Sequence, residues 1–224
     1  MENLNQFFDK KAILFDLDGT VINSTEGIFN ALYYMFDKLG QTMKSSDGFT
    51  RFMGPSIAAI LRTHYGFVDK DADDAVIIYR EYYSTKGILE CEAYEGIEAL
   101  LKKLKSQGKL IALATKKPEA FSVRIIEKLG FLDYFDVVCG ASLQEKDNSK
   151  VHIIERAITA LGVSKADAVM IGDTQYDAIG ANEAGVDCIG VLYGFGNEAE
   201  LVANGITNIA KDVNELTLFL TDHK

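Results

Sequence analysis

Residues 11–20 read KAILFDLDGT. An apolar run, 12–15, leads straight into Asp16, Asp18 and an Asp-Gly pair. The run is short and does not alternate with polar residues, the pattern of a strand buried on both faces. Further runs of the same kind are KLIALAT (109–115), FDVVCG (135–140), DAVMIG (167–172) and VDCIGVL (186–192), with a last strand-like piece at Ile206 to Ala210. Helical patterns separate them. Ile97, Leu100, Leu101 and Leu104 repeat at helical spacing before Gly108, and Pro118 suits the first turn of a helix running to Leu129. Other helices are expected from Ser149 to Gly162, over 175–184, and from Asp212 onward. Strand and helix alternating at this pitch imply an α/β fold, a doubly wound parallel sheet with helices on both faces.

The stretch 22–88 breaks that rhythm and reads as a helical insert after the first strand, leaving 1–21 and 89–224 as the α/β core. Asn23 and Glu26 have the spacing of a capping box, and Ile28, Leu32, Met35, Phe36 and Leu39 follow on one face. Gly54-Pro55-Ser56 is a turn, with Ser56 placed to cap the next helix, and residues 71–86 form a Tyr-rich helix whose Tyr79, Tyr82 and Tyr83 suit a core.

Composition narrows the function. The 224 residues carry 23 Lys and Arg against 33 Asp and Glu, a net charge of −10. Such a surface argues against nucleic acid and anionic membranes as partners. No apolar run nears the ~18 residues of a membrane span. The start, MENLNQFFDKK, lacks a signal-like apolar stretch, so a cytoplasmic protein is expected. Cys91, Cys139 and Cys188 are far apart, with no zinc or disulfide spacing.

In an open parallel sheet, ligands bind beyond the carboxyl ends of the strands where strand order reverses. The strand ends here supply Asp16 and Asp18, then Thr115-Lys116-Lys117, then Gly172-Asp173-Thr174-Gln175-Tyr176-Asp177, while Lys150 opens the helix before the last of these. Two carboxylates 4 Å apart repel by roughly 4 kcal/mol at an effective dielectric of 20, so clustered acids call for a cation. Oxygen-only donors favour Mg²⁺, and the lack of His or Cys at these positions disfavours zinc. Asp16 and Asp18, two residues apart on an extended segment, address one centre. One can attack phosphorus while the other handles the leaving group's proton. Gly19 lets the chain turn sharply away.

ILFDLDGT at 13–20, Thr115 after an apolar strand, Lys150, and IGDTQYD at 171–177 resemble the four motifs of the haloacid dehalogenase superfamily of phosphohydrolases. The match covers about residues 11–195. The insert resembles the small helical cap of the phosphoglycolate-phosphatase-like branch. The resemblance implies that Asp16 is a nucleophile forming an aspartyl-phosphate and that Asp18 is general acid, then base. Thr115 and Lys150 would hold phosphoryl oxygens. Asp16, the Asp18 backbone carbonyl and Asp173 would bind Mg²⁺, with Asp177 supporting the metal or pairing with Lys150. Gly19 and Lys116 beside the carboxylates, and Arg51, Gly54 and Ser56 in the insert, are candidate substrate contacts. Asp at position 18 favours a phosphatase or phosphomutase over a dehalogenase. The substrate implied is a small phosphorylated metabolite, phosphoglycolate first. A nucleoside 5′-monophosphatase, a sugar phosphomutase of the β-phosphoglucomutase type, and a binding module that kept the fold without the chemistry stay open.

Overall fold

The computed structural model describes residues 7–44, Phe52, 57–142 and 147–221. The chain divides into two compact units, one made of Met1–Asn23 and Ala93–Lys224, the other of Ser24–Glu92.

The first unit is built on a six-stranded sheet. Its strands are β1 (Ala12–Phe15), β4 (Leu110–Pro118), β5 (Val137–Ala141), β6 (Ala168–Gly172), β7 (Asp187–Val191) and β8 (Asn208–Ala210). Two-residue strands β2 (Ile22–Asn23) and β3 (Glu92–Ala93) form a separate ladder where the chain leaves and re-enters this unit. The large sheet has the order β5-β4-β1-β6-β7-β8 and every neighbouring pair is parallel. The chain steps outward from β1 to β4 to β5, then returns across β1 to β6. The reversal therefore lies at the carboxyl ends of β1, β4 and β6, where a doubly wound sheet binds its ligand.

Burial explains the missing alternation. All four residues of β1 and all five of β6 are buried. Ala12, Leu14, Ala112, Ala114 and Met170 share a core with Ile153, Ile154 and Ala157 of α6 (Lys150–Leu161) and with Ala178 and Ala181 of α7 (Gln175–Ala184). The residues between them, Ile13, Phe15, Ile111, Leu113, Val169 and Ile171, point to the other face and are fully buried as well. Each such side chain adds roughly 1.5–3 kcal/mol of hydrophobic stabilisation, so a strand sandwiched this way has no polar position to show.

The second unit contains α1 (Thr25–Lys38), α2 (Ile57–Tyr65) and α3 (Asp69–Tyr83). Ile28, Ala31, Leu32, Met35 and Phe36 are the buried stripe of α1; α3 buries Ala72, Ala75, Tyr79 and Tyr83. The Tyr79 and Tyr83 rings stack at 5.3 Å. One expectation is corrected here. Asn23 is not the N-cap of α1: it is extended in β2, and the helix starts one residue later behind Ser24, whose own side chain makes no capping bond. Asn23 instead belongs to the β2–β3 ladder. Among the described residues no helix is long and apolar enough to cross a membrane. All three cysteines are buried thiols.

Candidate active site

Four segments of the first unit bring charged groups to the switch point. Asp16 follows β1, and its backbone N–H still donates to the Ile171 carbonyl at 2.9 Å, so the ladder itself aims this residue. Its Oδ1 accepts from Lys150 Nζ at 2.6 Å. Lys150 is the first residue of α6, behind Ser149, whose hydroxyl accepts the His152 N–H at 3.3 Å. The same ammonium lies 2.6 Å from Asp177 Oδ1, and only 5% of its side chain is exposed. Asp177 is in turn fixed by the start of α7: its Oδ2 accepts from the Thr174 N–H at 3.1 Å and the Thr174 hydroxyl at 3.0 Å. Asp177 thus reaches back from the third position of the helix to its N-cap, as in a capping box. One Asp177 oxygen is therefore paired with the Lys150 ammonium and the other with the start of α7, so this carboxylate links the lysine to the helix.

Asp173 is fully buried at the exit of β6. Its Oδ2 accepts the Phe195 backbone N–H at 2.7 Å, and the Thr20 hydroxyl donates to Oδ1 at 3.4 Å. Gly19 stands at φ +83°, and a Cβ there would lie 2.1 Å from Asp173 Oδ2, so the turn after Asp18 needs glycine for both conformation and room.

Asp16, Asp173 and Asp177 each bring one carboxylate oxygen within 4.8 Å of the others. Among the described residues the Lys150 ammonium pairs with two of these carboxylates, Asp16 and Asp177. Burial pushes the Asp16 carboxyl up to about 6, against the pull of Lys150 and aided by repulsion from Asp177 and Asp18. Burial raises Asp173 as well, with Asp177 and Asp16 adding to it. Burial works against the charge on Lys150, but its two carboxylate partners outweigh it and hold the ammonium above its usual range. A set of oxygen donors with surplus negative charge suits a hard divalent cation, so the residues present fit Mg²⁺.

Asp18 is placed differently from its neighbours. Both of its oxygens accept from Lys117 Nζ at 2.7 Å, and the Lys117 side chain is 6% exposed. Its side chain is thus paired with a cation outside the acidic trio. Lys116, the lysine singled out from sequence, instead places its ammonium 5.0 Å above the Tyr176 ring. Alternation along β4 explains the difference: Thr115 is buried, Lys116 exposed, Lys117 half-buried, and the Thr115 hydroxyl accepts the Lys117 N–H at 3.2 Å. Two-residue spacing from Thr115 points to Lys117, a signal present in the sequence but not used. Arg51, Gly54 and Ser56 lie outside the described residues.

A parallel sheet whose switch point gathers a strand-end aspartate, a buried lysine and a second acidic strand end suits phosphohydrolase chemistry. Comparison with known proteins agrees. The model of the haloacid dehalogenase-like hydrolase family matches residues 13–191. The chain is 34% identical to a 5′-nucleotidase of Pseudomonas aeruginosa over 94% of its own length and 96% of that protein. It is 31% identical to a phosphoglycolate phosphatase of Neisseria meningitidis over 84% of its length and 82% of the other. A crystal structure of a predicted phosphatase from Clostridium acetobutylicum superposes with a TM-score of 0.83 at 38% identity, covering 93% of this chain and 96% of that one. The chain belongs to the haloacid dehalogenase-like hydrolase family.

Proposed function

We propose that this protein is a Mg²⁺-dependent phosphatase that hydrolyses a small phosphomonoester through an aspartyl-phosphate on Asp16, with a nucleoside 5′-monophosphate as the first substrate class and phosphoglycolate as the second. The observation that carries the chemistry is the Lys150 ammonium held between Asp16 and Asp177, with Asp173 closing an acidic trio. The order of substrates follows the nucleotidase relative, which matches over more of the chain.

Asp16 and Asp173, with the Asp18 backbone carbonyl, would hold Mg²⁺. Bound there, Mg²⁺ would offset the repulsion between a carboxylate and a phosphate dianion and the charge on the equatorial oxygens. Oδ1 of Asp16 is taken by Lys150, and no described donor reaches Oδ2, the oxygen left to attack phosphorus. As the Asp16 Oδ2–P bond forms, the bond from phosphorus to the ester oxygen breaks, and Asp18 passes its proton to that oxygen. Water then attacks the same phosphorus, Asp18 takes the water's proton, and the Asp16 carboxylate leaves. Splitting one displacement into two in-line steps is the gain of covalent catalysis. Thr115 and Lys150 hold the phosphoryl oxygens, Gly19 keeps the backbone clear, and the helical unit acts as a cap that selects substrate and excludes water.

A panel of AMP, UMP, phosphoglycolate and glucose 1-phosphate, assayed for released phosphate with Mg²⁺ and with EDTA, tests the reading. Mg²⁺-dependent release is expected, with the nucleotides turned over at the highest kcat/KM. Isomerisation of glucose 1-phosphate without free phosphate would replace hydrolysis by a mutase. No turnover of any compound would leave only a binding module.

A further inference from the structure

After β7 the chain passes through Tyr193, Gly194, Phe195 and Gly196 against the back of Asp173. The Phe195 N–H donates to Asp173 Oδ2 at 2.7 Å. A Cβ on Gly194 would lie 2.5 Å from that same oxygen and 2.2 Å from the Gly19 carbonyl oxygen, and one on Gly196 would lie 1.8 Å from the Asp173 carbonyl oxygen. Neither glycine has a positive φ, so it is space, not conformation, that requires them. The Tyr193 hydroxyl donates to the Thr20 carbonyl at 3.1 Å, and the Thr20 hydroxyl reaches Asp173 Oδ1 at 3.4 Å. The Tyr94 ring braces Tyr193 edge-on at 4.9 Å. The loop thus grips Asp173 at Oδ2 directly and at Oδ1 through Thr20.

That grip has a physical purpose. Asp173 is fully buried and faces the like charges of Asp16 and Asp177, and no ion pair to Asp173 is found among the described residues. Left to itself, such a carboxylate would rotate away from its neighbours. We propose that the loop Tyr193–Gly196 is a positioning element that fixes the Asp173 carboxylate in the orientation needed to bind Mg²⁺, with Tyr193 as its anchor. The inference rests on the reading of Asp173 as a Mg²⁺ ligand. Groups that hydrogen-bond to metal ligands commonly contribute about 10- to 100-fold to metal affinity.

Isothermal titration of Mg²⁺ into the full chain, freed of metal, separates the outcomes. Gly194→Ala is expected to weaken Mg²⁺ binding by about 10- to 100-fold, and Tyr193→Phe by several-fold. The metal-free melting temperature of Tyr193→Phe should stay close to that of the parent, and kcat should recover at saturating Mg²⁺. If Gly194→Ala does not fold, Tyr193→Phe decides alone. Unchanged Mg²⁺ affinity in Tyr193→Phe, with the parent binding normally, overturns the role of the loop and leaves the proposed function standing. A parent protein that binds no Mg²⁺ overturns both.

Discussion

Asp16→Asn is expected to lower Mg²⁺-dependent hydrolysis of p-nitrophenyl phosphate by about four orders of magnitude or more, as loss of a nucleophile does in enzymes that use one. The amide presents no oxygen basic enough to attack phosphorus. It also removes one negative charge from the cation site. The protein should remain folded, because the Asp16 backbone bond to Ile171 is untouched and Lys150 keeps Asp177 as a partner at 2.6 Å. Circular dichroism and phosphate release on the same sample check both halves. Retention of more than about a tenth of the activity would remove Asp16 from the role of nucleophile.

Lys150→Met has the second largest expected effect, and it strikes stability and rate together. The ammonium contacts Asp16 and Asp177 at 2.6 Å each in a nearly closed environment. Removing one partner of a buried ion pair leaves an uncompensated charge and typically costs about 3–5 kcal/mol. Here two carboxylates are left facing each other. Urea denaturation should show a loss of that size near neutral pH. The loss should shrink at acid pH. Asp16, already raised to about 6 in the parent protein, would titrate higher still without the lysine, and its protonation removes the repulsion. A carboxyl raised in the folded state binds its proton more readily there than in the unfolded chain, so its contribution to stability grows as pH falls toward the unfolded value. Turnover should fall with stability, because the role proposed for the same ammonium is to meet phosphoryl oxygens. A variant as stable as the parent at both pH values would show that the lysine is not the counter-ion of the site.

Much of the core was legible in the sequence because its strands are buried on both faces. Continuous apolar runs closed by acidic or glycine residues located β1 and β6, and the strand ends located Asp16 and Asp173. What the sequence concealed depended on local geometry. Thr174 and Asp177 have the spacing of a capping box, yet Asp177 next to a Gly-Asp pair also invites a metal role, and only the packing of Lys150 shows where its oxygens go. β4 runs on to Pro118 with a register shift after Ala114, so the choice between Lys116 and Lys117 turned on alternation along a strand longer than its apolar part. Gly194 and Gly196 follow a recognised strand end, but their fit against Asp173 comes from a contact between segments about 20 residues apart in sequence.

A crystal grown with Mg²⁺ and beryllofluoride, a mimic of a phosphoryl group on a carboxylate, tests the central claim most directly. The expected result is beryllium bonded to Asp16, Mg²⁺ held by Asp16 and Asp173, and Lys150 within hydrogen-bonding distance of a fluoride. Beryllofluoride and Mg²⁺ bound elsewhere, with Asp16 still paired only to Lys150, would contradict it.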